Sequence, residues 1–254
     1  MLLLRLPVHV PPGPPLTLRL LPIHIAVPPR RAYRHPTGHC LKRPYSMSSS
    51  PSRVLSVEDL CTSEAKWVKL KKTTWRDPEG KERPWEFATR PTRGSGGVDA
   101  VAILAILRSE SGAFAPSTII IEQFRPPVDR YVVELPAGLI SEGESAEETA
   151  IRELEEETGF KATSIIQTSP LLVCDPGMTN ANMKLVTVDV PFPEKLEMPA
   201  QKLDPGEYIT VRIVEISKLA SEFEEYEKKG FVIDARLSHL ASGFSLAGKL
   251  RQVP

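Results

Sequence analysis

The segment GLISEGESAEETAIRELEEETGF, Gly138 to Phe160, leaves this chain the least freedom. Ser145 and Glu148 stand at capping-box spacing, and Gly159 supplies a residue suited to the left-handed cap, so both ends of a helix over 145–158 are specified locally. Ala146, Ala150, Ile151 and Leu154 form an apolar stripe that needs a partner surface. At about 100° per residue, Glu153 and Glu157 project ~40° apart, with Glu156 ~60° to the other side of Glu153. Like charges at these spacings cost about 0.2–0.5 kcal/mol per pair, and acids near a helix C-terminus oppose its dipole. A cation over that face reverses the sign, and all-oxygen donors select Mg²⁺ or Mn²⁺ over zinc. Arg152 stands four residues before Glu156 and can hold its carboxylate. Without the spacing, the same composition reads as a solvated acidic face.

The supply of other reactive groups narrows the chemistry. Of five histidines, His9, His24, His35 and His39 lie in the first 52 residues and His239 stands alone afterwards, which argues against zinc hydrolysis and against a Ser-His nucleophile. Cys40, Cys61 and Cys174 are odd in number and far apart, so neither a disulfide framework nor a metal knuckle is expected, and a reducing compartment fits. The 32 basic and 32 acidic side chains cancel, but residues 1–52 hold seven Lys/Arg and no acid. By subtraction, 25 basic against 32 acidic groups leave residues 53–254 at −7, a poor partner for nucleic acid.

Residues 1–52 also contain eleven prolines. This segment reads as a disordered leader or an organelle-targeting one, with Met47 a plausible alternative start and prolines opposing a presequence helix. No run of 18 apolar residues is present, so no membrane partner is expected. The expected location is cytoplasmic or nuclear, and mitochondrial if residues 1–46 are a targeting leader.

Beyond the leader, residues 67–88 read as a hairpin around Asp77-Pro78-Glu79-Gly80. Strands are expected at 98–106, 118–124, 131–135, 171–174, 185–190 and 206–214, and further helices at 216–229 and 235–246. The fold class is α/β with a mixed sheet.

The pattern G-x5-E-x7-R-E-U-x-E-E-x-G-U is met at Gly138, Glu144, Arg152, Glu153, Leu154, Glu156, Glu157, Gly159 and Phe160, and in this it resembles a Nudix box. The resemblance implies an α/β/α sandwich and Mg²⁺-dependent hydrolysis, with Mn²⁺ as substitute, of a nucleoside diphosphate linked to another group. Around the box, 62–86 (TSEAKWVKLKKTTWRDPEGKERPWE), 122–140 (EQFRPPVDRYVVELPAGLI) and 174–190 (CDPGMTNANMKLVTVDV) are similar to the ADP-ribose (ADP-sugar) pyrophosphatase branch, as is Pro176, sixteen positions after Phe160. The implied organisation is a leader at 1–52, a hairpin arm for dimerisation and base binding at 53–96, and a Nudix domain at 97–250.

The resemblance implies roles for further residues. Glu153, Glu157 and the Ala137 carbonyl would hold metal, with Glu156 joining a second or third ion. Trp67 and Trp85 would stack on the base, with Glu86 beside them; packing of the hairpin is the alternative. Arg90 and Arg125 would meet diphosphate or ribose, or else form surface salt bridges. Glu207 would act as base or orient water, with Glu194, Glu197 or Asp204 as substitutes. Asp175 and Met178 would line a substrate loop. The implied assembly is a homodimer whose arms cross, so Trp67 and Trp85 belong to different halves of one site. Three functions compete: an ADP-sugar hydrolase giving AMP and ribose 5-phosphate from ADP-ribose; a hydrolase of NADH, a GDP-sugar or an oxidised nucleotide; and a non-catalytic ADP-ribose-binding module. The three intact glutamates disfavour the last.

Overall fold

The computed structural model describes residues 52–61, 63–192 and 198–251. The leader, Cys40, Glu194 and Glu197 lie outside the described residues. The first element is the hairpin β1 (Lys69–Arg76) and β2 (Glu82–Thr89), paired antiparallel from Lys69↔Thr89 to Arg76↔Glu82. Its turn is set by Asp77, whose carboxylate accepts the Glu79 and Lys81 N–H groups at 3.0 and 2.9 Å and Arg83 Nε at 2.6 Å. Gly80 adopts φ 84°, a conformation open to residues without Cβ.

The second sheet is mixed, as expected. Strands β3 (Ala100–Ser109), β4 (Ser117–Arg125), β5 (Arg130–Glu134), β6 (Ala137–Leu139), β7 (Ser164–Thr168), β8 (Leu172–Val173), β9 (Asn182–Phe192), β10 (Ile209–Glu215) and β11 (Val232–Ile233) form it. Its main path runs β11-β5-β4-β3-β9-β7, and β10 pairs with β4. β3 and β9 are parallel, as are β5 and β11; the other pairs are antiparallel. β6, β7 and β11 were not expected from sequence: each is five residues or fewer and is defined by a distant partner.

Both faces of the sheet are apolar, because β3 and β4 carry near-continuous hydrophobic runs. Val101, Ile103, Ala105, Leu107, Ile119 and Ile121 pack against Ala146, Ala150 and Leu154 of helix α1 (Ala146–Thr158). Leu104 and Ile120 face the other way, onto Leu219 and Phe223 of α2 (Leu219–Lys228) and Leu237 and Ala241 of α3 (Ala235–Leu250). The result is helix on both sides of one sheet, the expected α/β/α arrangement. Ile151 departs from the expected stripe and is 42% exposed, because one residue beyond Ala150 is a turn of about 100° away from the sheet. Thr149, Glu157 and Thr158 are buried on α1 instead.

β3 and β4 part after two paired positions. β3 and β4 pair at Ile106↔Thr118 and Leu107↔Ser117, and the chain after β4 bridges their other ends. β5 pairs with β4, whereas β6 pairs with β3 at Ala102↔Ala137, and the intervening Pro136 carbonyl accepts the Ile103 N–H at 2.8 Å. Residues 130–139 thus cross between strands beneath α1, and the crossing is where the glutamates arrive.

Candidate active site

α1 is held at both ends in the manner its sequence predicts. Ser145 accepts the Glu148 N–H at 3.2 Å and Glu148 returns a bond to the Ser145 N–H at 2.8 Å, while Gly159 closes the helix at φ 76°. A Cβ on Gly159 would stand 2.4 Å from the Ala200 carbonyl oxygen, so a side chain there is excluded twice over. The last carbonyls are capped by a segment whose role was not foreseen: Gln201 Nε2 donates to the Glu157 and Ile209 carbonyls at 2.7 and 3.0 Å, and the Lys202 N–H donates to the Glu156 carbonyl at 2.8 Å.

Arg152 organises the acidic face. Its guanidinium donates to both Glu144 oxygens at 2.8 and 2.9 Å, to Glu153 at 2.9 Å and to Glu156 at 2.9 Å. The Arg152 bonds hold the Glu144 carboxyl down at about 2, against some opposition from burial. The sequence-based link from Arg152 to Glu156 is present, and it is one of three.

Glu157 stands apart. Its side chain is buried, and among the described residues its one hydrogen-bond donor is the Ala137 N–H at 3.0 Å. Burial pushes its carboxyl up to about 8, and the Glu153 and Glu207 charges push the same way, against the Ala137 N–H and Arg125. Glu153 is likewise raised, first by burial, with Arg152 opposing. Gly138 explains how Glu153 reaches the crossing: a Cβ there would lie 2.0 Å from Glu153 Cδ, so its carboxylate rests against bare backbone. The glycine that opens the box and the first glutamate of its REUxEE core are therefore one steric unit.

Among the described residues no three acidic, histidine or cysteine side chains close on a common point. Arg152 draws Glu153 and Glu156 together, while Ala137 holds Glu157. The donor set nevertheless fits a hard divalent cation: carboxylates with an adjacent backbone strand, one of them buried with a single N–H partner.

The other predicted residues fall on two sides of this face. Glu207 is exposed, and its carboxylate accepts the Asp204 N–H at 3.2 Å; its charge still reaches Glu153 and Glu157. Arg125 forks onto the buried Glu134 at 2.7 and 3.0 Å and is within the field of Glu157. Arg90 is exposed and lies within the field of Asp99. That aspartate was not foreseen: it takes Arg93 at 2.8 and 2.7 Å, its N–H donates to Asn182 Oδ1 at 2.8 Å and its carboxylate accepts the Asn182 N–H at 2.9 Å, tying the strand after the arm to β9.

Trp85 Nε1 donates to the Gly177 carbonyl at 3.0 Å, while the Ala88 N–H donates to Met178 and the Asn180 N–H to Ala88. The arm is thereby docked on the loop carrying Asp175 and Met178. Trp85 keeps 48% of its surface exposed and Met178 63%, so the indole has an open face. Glu86 is exposed beside it, on the strand position opposite Lys72. Trp67 precedes β1 and is 68% exposed, without a described contact to Trp85.

A crossing strand that presents a backbone N–H to a buried glutamate, beneath a doubly capped acidic helix, defines a class. The NUDIX domain family matches residues 98–232, and the chain belongs to the Nudix family, whose hydrolases use a divalent metal. A protein named ADP-ribose pyrophosphatase from Saccharomyces cerevisiae is 44% identical over 189 residues, 73% of this chain and 80% of that one. An ADP-sugar pyrophosphatase from Mus musculus is 40% identical over 167 residues, 65% of this chain and 75% of that one. An uncharacterised Nudix hydrolase from Schizosaccharomyces pombe is 46% identical over 193 residues, 75% of this chain and 92% of that one.

Proposed function

We propose that this enzyme hydrolyses the diphosphate bond of ADP-ribose and related ADP-sugars, giving AMP and the sugar 5-phosphate, with Mg²⁺ as metal and Mn²⁺ as substitute. The observation that carries the reading is the docking of Trp85 on the 175–178 loop in a chain that also carries the carboxylate face. In this reading Trp85, with Trp67 of a second copy, sandwiches the base, and Glu86, Asp175 and Met178 frame it. Arg90 and Arg125 receive the diphosphate and ribose; Arg125 is pre-set by its fork on Glu134.

Glu153, Glu157 and the Ala137 carbonyl would hold the first cation, and Glu156 would hold a further one. A divalent cation bound there would supply charge neutralisation of the diphosphate and activation of water. Glu207 takes the water proton, and Arg152 keeps the glutamates aligned as charge develops. A homodimer is part of the proposal. Leu70 is 72% exposed and Trp75 41% exposed on an isolated two-stranded sheet, a form of structure that gains from a covering surface.

The test is a steady-state panel of ADP-ribose, ADP-mannose, NADH and a GDP-sugar with Mg²⁺, with products identified by mass. ADP-ribose as best substrate, releasing AMP and ribose 5-phosphate, is expected. Preferred cleavage of NADH or the GDP-sugar overturns the substrate assignment, and tight ADP-ribose binding without turnover overturns the hydrolase assignment.

A further inference from the structure

Two arginines in this fold share an arrangement, and one has no part in the account above. Arg125 places Nε and one Nη on Glu134, and among the described residues its other Nη makes no hydrogen bond. Arg236, at the start of α3, places Nε and Nη2 on Asp234 at 2.9 and 2.6 Å. Asp234 is itself fixed as the helix cap, accepting the Arg236 and Leu237 N–H groups at 2.9 and 3.3 Å. The guanidinium is therefore anchored on one edge. Its remaining Nη1 donates to Met183 Sδ at 2.8 Å and leans on Cys174 Sγ at 3.7 Å. Sulfur is a weak acceptor, so this edge holds a cation's donors against groups that satisfy them poorly. The side chain is 47% exposed, leaving room for something better.

Its position is set by the sheet. β11 runs parallel to β5 with Ile233 opposite Val133, and the Asp234 N–H donates to the Val133 carbonyl at 3.0 Å. Asp234 and Arg236 therefore leave the sheet beside Glu134, the partner of Arg125, at the end where the chain continues to Ala137 and Glu157. The field of Glu134 reaches Arg236, and the two arginines repel each other across it. On its other side Arg236 meets Cys174, the residue before the Asp175–Met178 loop that receives Trp85.

We propose that Arg236 is a substrate-binding residue, its Nη1 edge exchanging the two sulfurs for a diphosphate oxygen of the bound nucleotide, next to Arg125. This rests on the reading of the site as one for nucleoside diphosphates. A charge-assisted bond to phosphate is stronger than one to a thioether, and the anchored edge reduces the ordering it requires.

The experiment compares wild type, R236M and R236Q by calorimetric binding of the non-hydrolysable methylene-diphosphate analogue of ADP-ribose and of adenosine. Unfolding midpoints are recorded alongside, and R236Q, which retains polar donors for Asp234, is used if R236M does not fold. The analogue is expected to bind the variant about 10-fold to 100-fold more weakly, with adenosine affinity within about 2-fold. Unchanged affinity for the analogue overturns the proposal, and so does equal weakening for both ligands, the mark of a structural role. A wild type that binds the analogue but does not cleave ADP-ribose sinks the substrate assignment while the variant comparison still decides Arg236. A wild type that does not bind the analogue overturns both.

Discussion

Two glutamates placed on opposite faces of the same sheet, Glu122 and Glu157, show what separates a structural acid from a reactive one. Glu122, toward α2, takes Arg212 at 2.8 and 3.4 Å and the Tyr226 hydroxyl at 2.7 Å. The Tyr226 phenol is pushed above its usual range by burial and by that carboxylate, so the phenol keeps its proton. Glu157, toward α1, is buried where Glu122 is half-buried, and its carboxylate has one backbone N–H. Burial of a carboxylate is costly, and the chain sets the charges of Glu153 and Glu207 against Glu157, with that of Arg125 as a partial offset. The α2 side is neutralised within the fold; on the α1 side the proposed divalent cation would do the same.

The largest effect that could break this comparison is catalytic. Glu157→Gln is expected to lower kcat by about 10²-fold or more, since a charge leaves the group that faces developing phosphoryl charge. Its unfolding midpoint without metal at pH 7 is expected to stay level, because a carboxyl raised to about 8 is already largely neutral there. Wild-type turnover in saturating Mg²⁺ would remove Glu157 from the chemistry.

The mirror experiment is Arg212→Met, which leaves Glu122 with Tyr226 alone. A stability loss of about 1–3 kcal/mol is expected in urea unfolding, with kcat/KM for ADP-ribose within about 2-fold of wild type. A fall in kcat with unchanged stability would place the α2 side in the reaction.

Trp85 tests a division within the site itself. Trp85→Ala is expected to raise KM for ADP-ribose by about 5-fold to 100-fold, with stacking supplying about 1–3 kcal/mol, and to leave the Mg²⁺ dependence unchanged. An unchanged KM with a lowered unfolding midpoint assigns the indole to packing.

The smallest effect concerns Glu144, whose carboxyl sits at about 2 in the fold against an ordinary 4.5. A depressed acid contributes stability that is present above pH 4.5 and is lost as the pH falls through about 2. Glu144→Gln is therefore expected to flatten the urea midpoint of unfolding between pH 5 and 2.5 relative to wild type. Parallel curves for the two proteins would show that the Arg152 bridge adds nothing to the fold.

Local information explains which parts were readable in advance. Ser145, Glu148 and Gly159 act within one helix, so α1 and its caps could be placed to the residue. Continuous apolar runs marked β3 and β4 for the same reason. β6 is three residues long and exists because Ala137 meets Ala102, a pairing that no local pattern encodes. The burial of Glu157, the fork of Arg125 on Glu134 and the lock of Arg93 on Asp99 depend on how separate segments come together, and so escaped a reading by spacing. Ile151 failed because apolar character was read as burial, where its angle on the helix points it outward.

The central claim is that the α1 face lacks a cation which the fold is built to receive. Its most direct test is the unfolding midpoint of metal-stripped protein as Mg²⁺ is added, without any substrate. Wild type should rise in proportion to the logarithm of Mg²⁺ concentration once above Kd, whereas Glu157→Gln should stay nearly flat. Equal rises in the two proteins, or none in wild type, would contradict the account.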